Sequence, residues 1–144
     1  MILALPIYVI PDDAVVGGHV DGFKQFICQV YHQGDILPAR IAQDSCLAVT
    51  SFDVSEIAAT EYEYIRIDNV EWVADERGHV PKNAVSGGRT VTGEELYIGR
   101  VEYLNNLIMG KIHPSHRCLY FAYHGRELNS KVYEVLVEKT APEI

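Results

Sequence analysis

Apolar residues along this chain come in short runs broken by Gly, Pro, Asn and Asp, and almost none keeps the three-to-four residue period of an amphipathic helix. That pattern predicts an all-β chain. In the first half, strands are expected near residues 2–10, 24–31, 36–42, 47–52 and 62–67. In the second half they are expected near 71–74, 95–103, 107–112, 118–123 and 132–138. Only residues 54–60 have a helical reading. Alternation is clearest in the last strand, where Tyr133, Val135 and Val137 share one face and Glu134 and Leu136 the other. Asn105-Asn106 suits the positive φ of a tight hairpin turn, and Gly34-Asp35 stands at the same place in the first half.

The two halves share a register. Pro81, Ala84, Val85, Gly87 and Gly88 match Pro11, Ala14, Val15, Gly17 and Gly18 at an offset of 70 (81 − 11). From there the offset is 71, as if the first copy lacked one loop residue. Tyr97-Ile98 matches Phe26-Ile27, Leu107-Ile108 matches Ile36-Leu37, and Lys111-Ile112 matches Arg40-Ile41. Glu127 matches Glu56, and Tyr133-Glu134 matches Tyr62-Glu63. A constant register of this length reads as one motif used twice. The expected architecture is two tandem antiparallel β motifs, residues 1–68 (degenerate) and 69–144, joined at the turn-like Asp68-Asn69. So short a join implies one compact unit with approximate two-fold pseudo-symmetry.

Charge narrows the partners. Twelve Lys and Arg stand against 20 Asp and Glu, a net −8, with no basic cluster in the sequence. Nucleic acid and anionic membranes are therefore disfavoured. No run approaches the roughly 20 apolar residues of a membrane span. The apolar start MILALPIYVI lacks a basic leader and is interrupted by Pro6 and Pro11, so it reads as the first strand, not as a signal peptide. The expected location is cytoplasmic or non-classically secreted. Cys28, Cys46 and Cys118 are odd in number and none recurs between copies, which reads as free buried thiols; one bridge with a spare thiol is the alternative.

Candidate chemistry is sparse. Neither Gly17-Gly18 nor Gly87-Gly88 is followed by a phosphate-loop pattern, so both pairs read as turns needing unusual φ and ψ. His113, His116 and Cys118 offer three metal donors within six residues, but no fourth donor is evident and the first copy has none of them, so no metal or other cofactor is expected. Cys118 beside His116 reads as a buried strand thiol. A shallow apolar surface there would remove the enzymatic reading, and none is adopted. The paired cations Arg40 and Lys111 need an anionic partner, either Glu56 or Glu127 in an ion pair or the oxygens of a ligand. The paired Glu63 and Glu134 read as edge or solvent residues.

The segments VPKNAVSGG, ELYIGRV, LIMGKIHPSH, YHGRE and YEVLV together resemble the DM-nine repeat family, with the second copy matching almost throughout and the first more weakly but in register. The resemblance implies a small all-β protein of two tandem motifs, often a homodimer. It further implies a carbohydrate-binding, mannose-type lectin of innate immunity with no catalysis of its own. Relatives carry the motif beside a pore-forming region in natterin-like proteins, and ending at Ile144 the chain is expected to lack that region. The family pattern places sugar contacts on an acidic residue two positions after the glycine pair and on the lysine that is Lys111 here. A carboxylate and a cation suit adjacent sugar hydroxyls. Lys111 becomes Arg40 in the first copy, and the acidic position reads Thr90 in the second and Val20 in the first. Asp21, next after Val20, takes the acidic role if the loop shifts by one. The candidate sugar-binding residues are accordingly Asp21, Arg40, Lys111 and Thr90. The alternative function is a protein-interaction module that has lost its sugar site.

Overall fold

The structure, a computed structural model, describes residues 10–139. The expected strand at 2–10 lies outside the described residues. Thirteen strands follow: β1 Val16–Val20, β2 Phe23–His32, β3 Asp35–Ala42, β4 Ala48–Phe52, β5 Ser55–Ala59, β6 Glu63–Tyr64, β7 Val70–Glu76, β8 Ser86–Arg89, β9 Glu95–Tyr103, β10 Asn106–His113, β11 Cys118–Tyr123, β12 Arg126–Ser130 and β13 Val132–Glu138. The one helical element is a 3-10 turn at Pro114–His116, and among the described residues no helix is long and apolar enough to cross a membrane. The sheet runs β6-β2-β1-β10-β11-β12-β5-β4-β3-β8-β9-β13-β7, and an added β2–β3 pairing closes eight antiparallel strands into a barrel. Closure leaves those strands without free edges.

Among the described residues, three strand pairings join the two sequence halves. β1 pairs with β10 through His19 and Leu107, β3 with β8 through Ile36 and Arg89, and β5 with β12 through Ser55 and Arg126. The glycine pairs make the first two possible. Gly17 and Gly18 lie in β1, Gly87 and Gly88 in β8, and none has positive φ, so the turn expected there is a strand. A Cβ on Gly18 would stand 2.1 Å from the Leu107 carbonyl oxygen, and one on Gly88 2.0 Å from that of Ile36. Glycine serves close backbone approach here, not left-handed backbone.

The segment 54–60 is β5, not a helix: it pairs residue for residue with β4, from Phe52↔Ser55 to Ala48↔Ala59. Neighbouring strands, invisible to local periodicity, decide it. The expected strand at 62–67 contracts to Glu63–Tyr64. Both hairpin turns fall one residue earlier than expected, on Gln33-Gly34 and Leu104-Asn105, whose φ values are 50°, 88°, 49° and 64°. Asp35 and Asn106 are thereby freed to begin strands. Glu134 sits not at an edge but in β13, between β7 and β9, where it pairs with Arg100 at 2.9 Å. Among the described residues the core comprises three apolar clusters, built around Ile108, Leu119 and Val135, around Ile27, Ile98 and Leu136, and around Cys28, Val30 and Ile41.

Candidate functional site

Lys111 is placed by its neighbours in β10, which pairs with β9 at Ile98 and with β11 at Tyr120. Its side chain is buried, and its Nζ donates to the Ser51 carbonyl at 2.7 Å. The Oε2 of Glu127 stands 3.5 Å from Nζ, and the rings of Phe52 and Tyr120 lie 5.8 and 5.7 Å away. Burial pulls the Lys111 pKa below the ordinary 10.5 against the opposing charges of Glu127 and Asp35. An ammonium carries three donors, and these contacts engage two at most. Glu127 is also underused. Its Oε1 accepts the Val54 N–H at 3.2 Å, whereas its Oε2 is buried with the ion-pair contact to Lys111 and no hydrogen bond. The two charges thus face each other as an ion pair with no hydrogen bond between them, and the ammonium keeps a donor to spare.

Both groups line a cavity of about 590 Å3 drawn from the two halves of the chain. Asp35, Phe52 and Asp53 come from the first half, and Thr90, Lys111, His113, Tyr120 and Glu127 from the second. Asp35 is drawn towards Thr90 because its Oδ1 accepts the N–H of Val91 at 2.7 Å. Thr90 in turn accepts the Glu94 N–H at 3.1 Å, fixing the turn. Glu94 then accepts from Ser115 Oγ at 2.7 Å and Ser115 N at 2.8 Å, and pairs with His113 Nε2 at 3.0 Å. The imidazoles of His113 and His116 stack at 3.6 Å, and burial, then the neighbouring His116, keep the His113 pKa low.

Glu94 gives a testable consequence. Burial pushes its carboxyl up, but the bonds from Ser115 and the pairing with His113 outweigh this and hold it below 4.5. A depressed folded pKa contributes stability that is present above pH 4.5 and lost as the pH falls through the folded value. Glu94→Gln is expected to lower stability by about 1 kcal/mol at neutral pH and to flatten the acid limb, read by urea unfolding from about pH 6 to about pH 3.

Arg40, the counterpart of Lys111, meets a different fate. It is buried in β3, donating from Nη1 to Gln25 Oε1 at 3.1 Å and from Nη2 to the Ala122 carbonyl at 2.9 Å. Ala122 stands to Arg40 as Ser51 stands to Lys111, both at an offset of 71 (122 − 51), so the carbonyl contact is common to the two cations. Gln25 makes the difference, since Leu96 occupies its place in the second copy (96 − 25 = 71). Burial lowers the Arg40 pKa, against the charges of Glu56 and Asp21. Asp21 itself is exposed, with φ of 53° and its N–H donated to Asn106 Oδ1 at 3.0 Å. Among the described residues no ion pair joins Asp21 to Arg40. Of the four sequence candidates, Lys111 and Thr90 line one cavity, while Arg40 is occupied by internal partners.

Asp35, Phe52 and Tyr120 were not singled out in the sequence. For Phe52 a signal existed: Tyr123 matches it at the offset of 71, a second aromatic beside a second cation (123 − 52). Asp35 carries no such signal, because Asn106 stands at the matching position. The cysteines are unbridged, with Cys28 and Cys118 buried, but Cys46 is exposed against expectation. Burial raises the Cys28 thiol to about 12 and also raises that of Cys118, so neither is a thiolate at neutral pH. His116 Nδ1 contacts the Tyr120 hydroxyl at 2.9 Å, and the surface beside it is a polar cavity, not the shallow apolar one. Among the described residues no group of three His, Cys, Asp or Glu is disposed to hold a metal.

The DM9 repeat family model matches residues 18–130, which includes every residue lining the Lys111 cavity. The chain belongs to the DM9 repeat family. This DM9 repeat chain is 39% identical to Natterin-3 of Thalassophryne nattereri over 69 residues, 48% of its length and 16% of that protein. It is 37% identical to Natterin-4 of the same fish over 86 residues, 60% of its length and 21% of that protein. The chain thus spans about a fifth or less of the relatives it matches.

Proposed function

We propose that this chain is a non-catalytic carbohydrate-binding protein whose sugar site is the Lys111 cavity, mannose-type glycans being its ligands and innate immune recognition its role. One observation carries the reading: the Lys111 ammonium, with a donor to spare, and its ion-pair partner Glu127, 3.5 Å away, line a cavity that also holds Phe52 and Tyr120. Each sugar hydroxyl both donates and accepts, so neighbouring hydroxyls satisfy this pair with charge-assisted bonds. Phe52 and Tyr120 offer apolar faces to the carbon-bound hydrogens of a pyranose. Asp35 supplies a carboxylate in the same cavity where Thr90 does not, and each half of the chain contributes to the wall. The paired cations and their carbonyl contacts favour an approximate two-fold relation between motifs 1–68 and 69–144. In this reading only the second motif's cation is open to ligand. Single sugar contacts are weak, and a homodimer would supply avidity by offering two such cavities.

A glycan array with and without chelator tests the reading. Binding that ignores chelator and is lost with Lys111→Met supports it, whereas a blank array favours a protein-interaction module. The Lys111 pKa adds a second test. Binding needs the ammonium, so it is expected to fail on the alkaline side at a pH below the ordinary 10.5. Stability moves the other way: between the folded pKa and 10.5 the unfolded chain holds more protons, so stability rises with pH in that window. Calorimetric titration and urea unfolding at matched pH separate the two effects.

A further inference from the structure

Beside the Lys111 cavity lies a second one of about 530 Å3, lined by Arg77, Arg117, Lys131 and Asn129, with Cys118 also in its lining. Three cations converge there in a chain of net charge −8. Among the described residues none of the three makes an ion pair within 4 Å. The backbone beneath them is fixed. Arg77 N–H donates to the Lys131 carbonyl at 2.8 Å, and Arg117 N–H to the carbonyls of His113 and Pro114 at 3.1 and 3.0 Å. Gly78 packs so closely on the second turn that a Cβ would stand 2.8 Å from the Arg117 Cα. Arg77 and Arg117 both occupy left-handed backbone, with φ of 57° and 62°, where glycine or asparagine is the cheaper residue. The motif itself does not demand these charges, since Cys46 and Thr60 hold the matching positions to Arg117 and Lys131 (117 − 46 = 71).

His116 and Tyr120 line both cavities, so a ligand seated on Lys111 reaches the basic one across a shared wall. We infer that the basic cavity is a subsite for an anionic substituent, phosphate, sulfate or carboxylate, on the glycan held at Lys111. This rests on the sugar-binding reading of the Lys111 cavity and extends it: among such glycans, those carrying an acidic substituent are the preferred ligands. Two arginines offer planar forks to a tetrahedral or carboxylate anion, and the lysine adds a point charge.

The test is calorimetry on the full chain with mannose, mannose 6-phosphate, mannose 6-sulfate, glucuronic acid and inorganic sulfate, at low and high salt. Wild type is expected to bind at least one anionic sugar about tenfold or more tighter than mannose, with the advantage shrinking in salt. Arg77→Gln/Arg117→Gln/Lys131→Gln is expected to abolish that advantage while mannose binding and the near-ultraviolet circular dichroism stay unchanged. The three anionic sugars separate phosphate, sulfate and carboxylate as the preferred group. Equal affinity for mannose and every anionic sugar would overturn the subsite and leave the Lys111 site standing. An advantage that survives in the triple variant would overturn it as well. Inorganic sulfate bound by wild type with no sugar bound at all would overturn both the acidic-glycan inference and the sugar-binding reading.

Discussion

Lys111→Ala is expected to abolish glycan binding and to cost about 3 kcal/mol of stability. The two losses have separate causes. Binding goes because the ammonium's free donor is the strongest polar group that the cavity offers a hydroxyl. Stability goes because Glu127, whose side chain is only 10% exposed, is left as a carboxylate with no cation beside it. The double variant Lys111→Met/Glu127→Gln removes both charges at once and is expected to recover most of the stability while remaining blind to sugar. Arg40→Met is the control for the other copy. It leaves Gln25 Oε1 and the Ala122 carbonyl without their donor, so it is expected to destabilise by about 2 kcal/mol, yet to bind glycan like wild type. Glycan binding lost in Arg40→Met and kept in Lys111→Ala would move the site to the first copy.

The second large effect concerns the fold. Gly88→Ala is expected to lower stability by about 3 kcal/mol and the melting temperature by about 10 °C, because the new Cβ would stand 2.0 Å from the Ile36 carbonyl oxygen, which is backbone and not a flexible side-chain end. Gly93 is the comparison. It has φ of 94° and nothing within 4 Å of an added Cβ, so Gly93→Ala bears only the backbone cost, about 1 to 2 kcal/mol. Thermal unfolding of the two variants compares the cost of close approach at Gly88 with that of unusual φ at Gly93. If Gly93→Ala proved the more damaging, the strand contact at β8 would not be the constraint.

Much of this was written in the sequence, and the failures have physical reasons. The period-two runs and the 70- and 71-residue register were enough for the all-β class, because each strand's burial leaves its mark on its own residues. The strand at Ser55–Ala59 is not legible in the sequence: its conformation is imposed by β4 and by β12, the latter 71 residues away (126 − 55), while its own composition is neutral. In the sequence the glycine pairs read as turns, because a sequence shows the missing side chain and not the carbonyl that needs the space.

The site divides in the same way. Lys111 and Thr90 carried a local pattern, and the structure places both in one cavity. That Arg40 is occupied depends on Gln25, and that Asp35 joins Lys111 and Glu127 in one cavity depends on the opposite half of the chain. Neither fact is local. The basic cavity follows the same logic, since Arg77, Arg117 and Lys131 are scattered over 55 positions (131 − 77 plus one) and form no cluster along the chain.

The most direct test of the central claim is a crystal structure of the full chain soaked with mannose. A pyranose is expected between Phe52 and Tyr120, with hydroxyls in hydrogen-bonding reach of Lys111 Nζ and the Glu127 carboxylate. A sugar seated instead against Asp21 and Arg40, or anywhere that leaves Lys111 and Glu127 untouched, would contradict it.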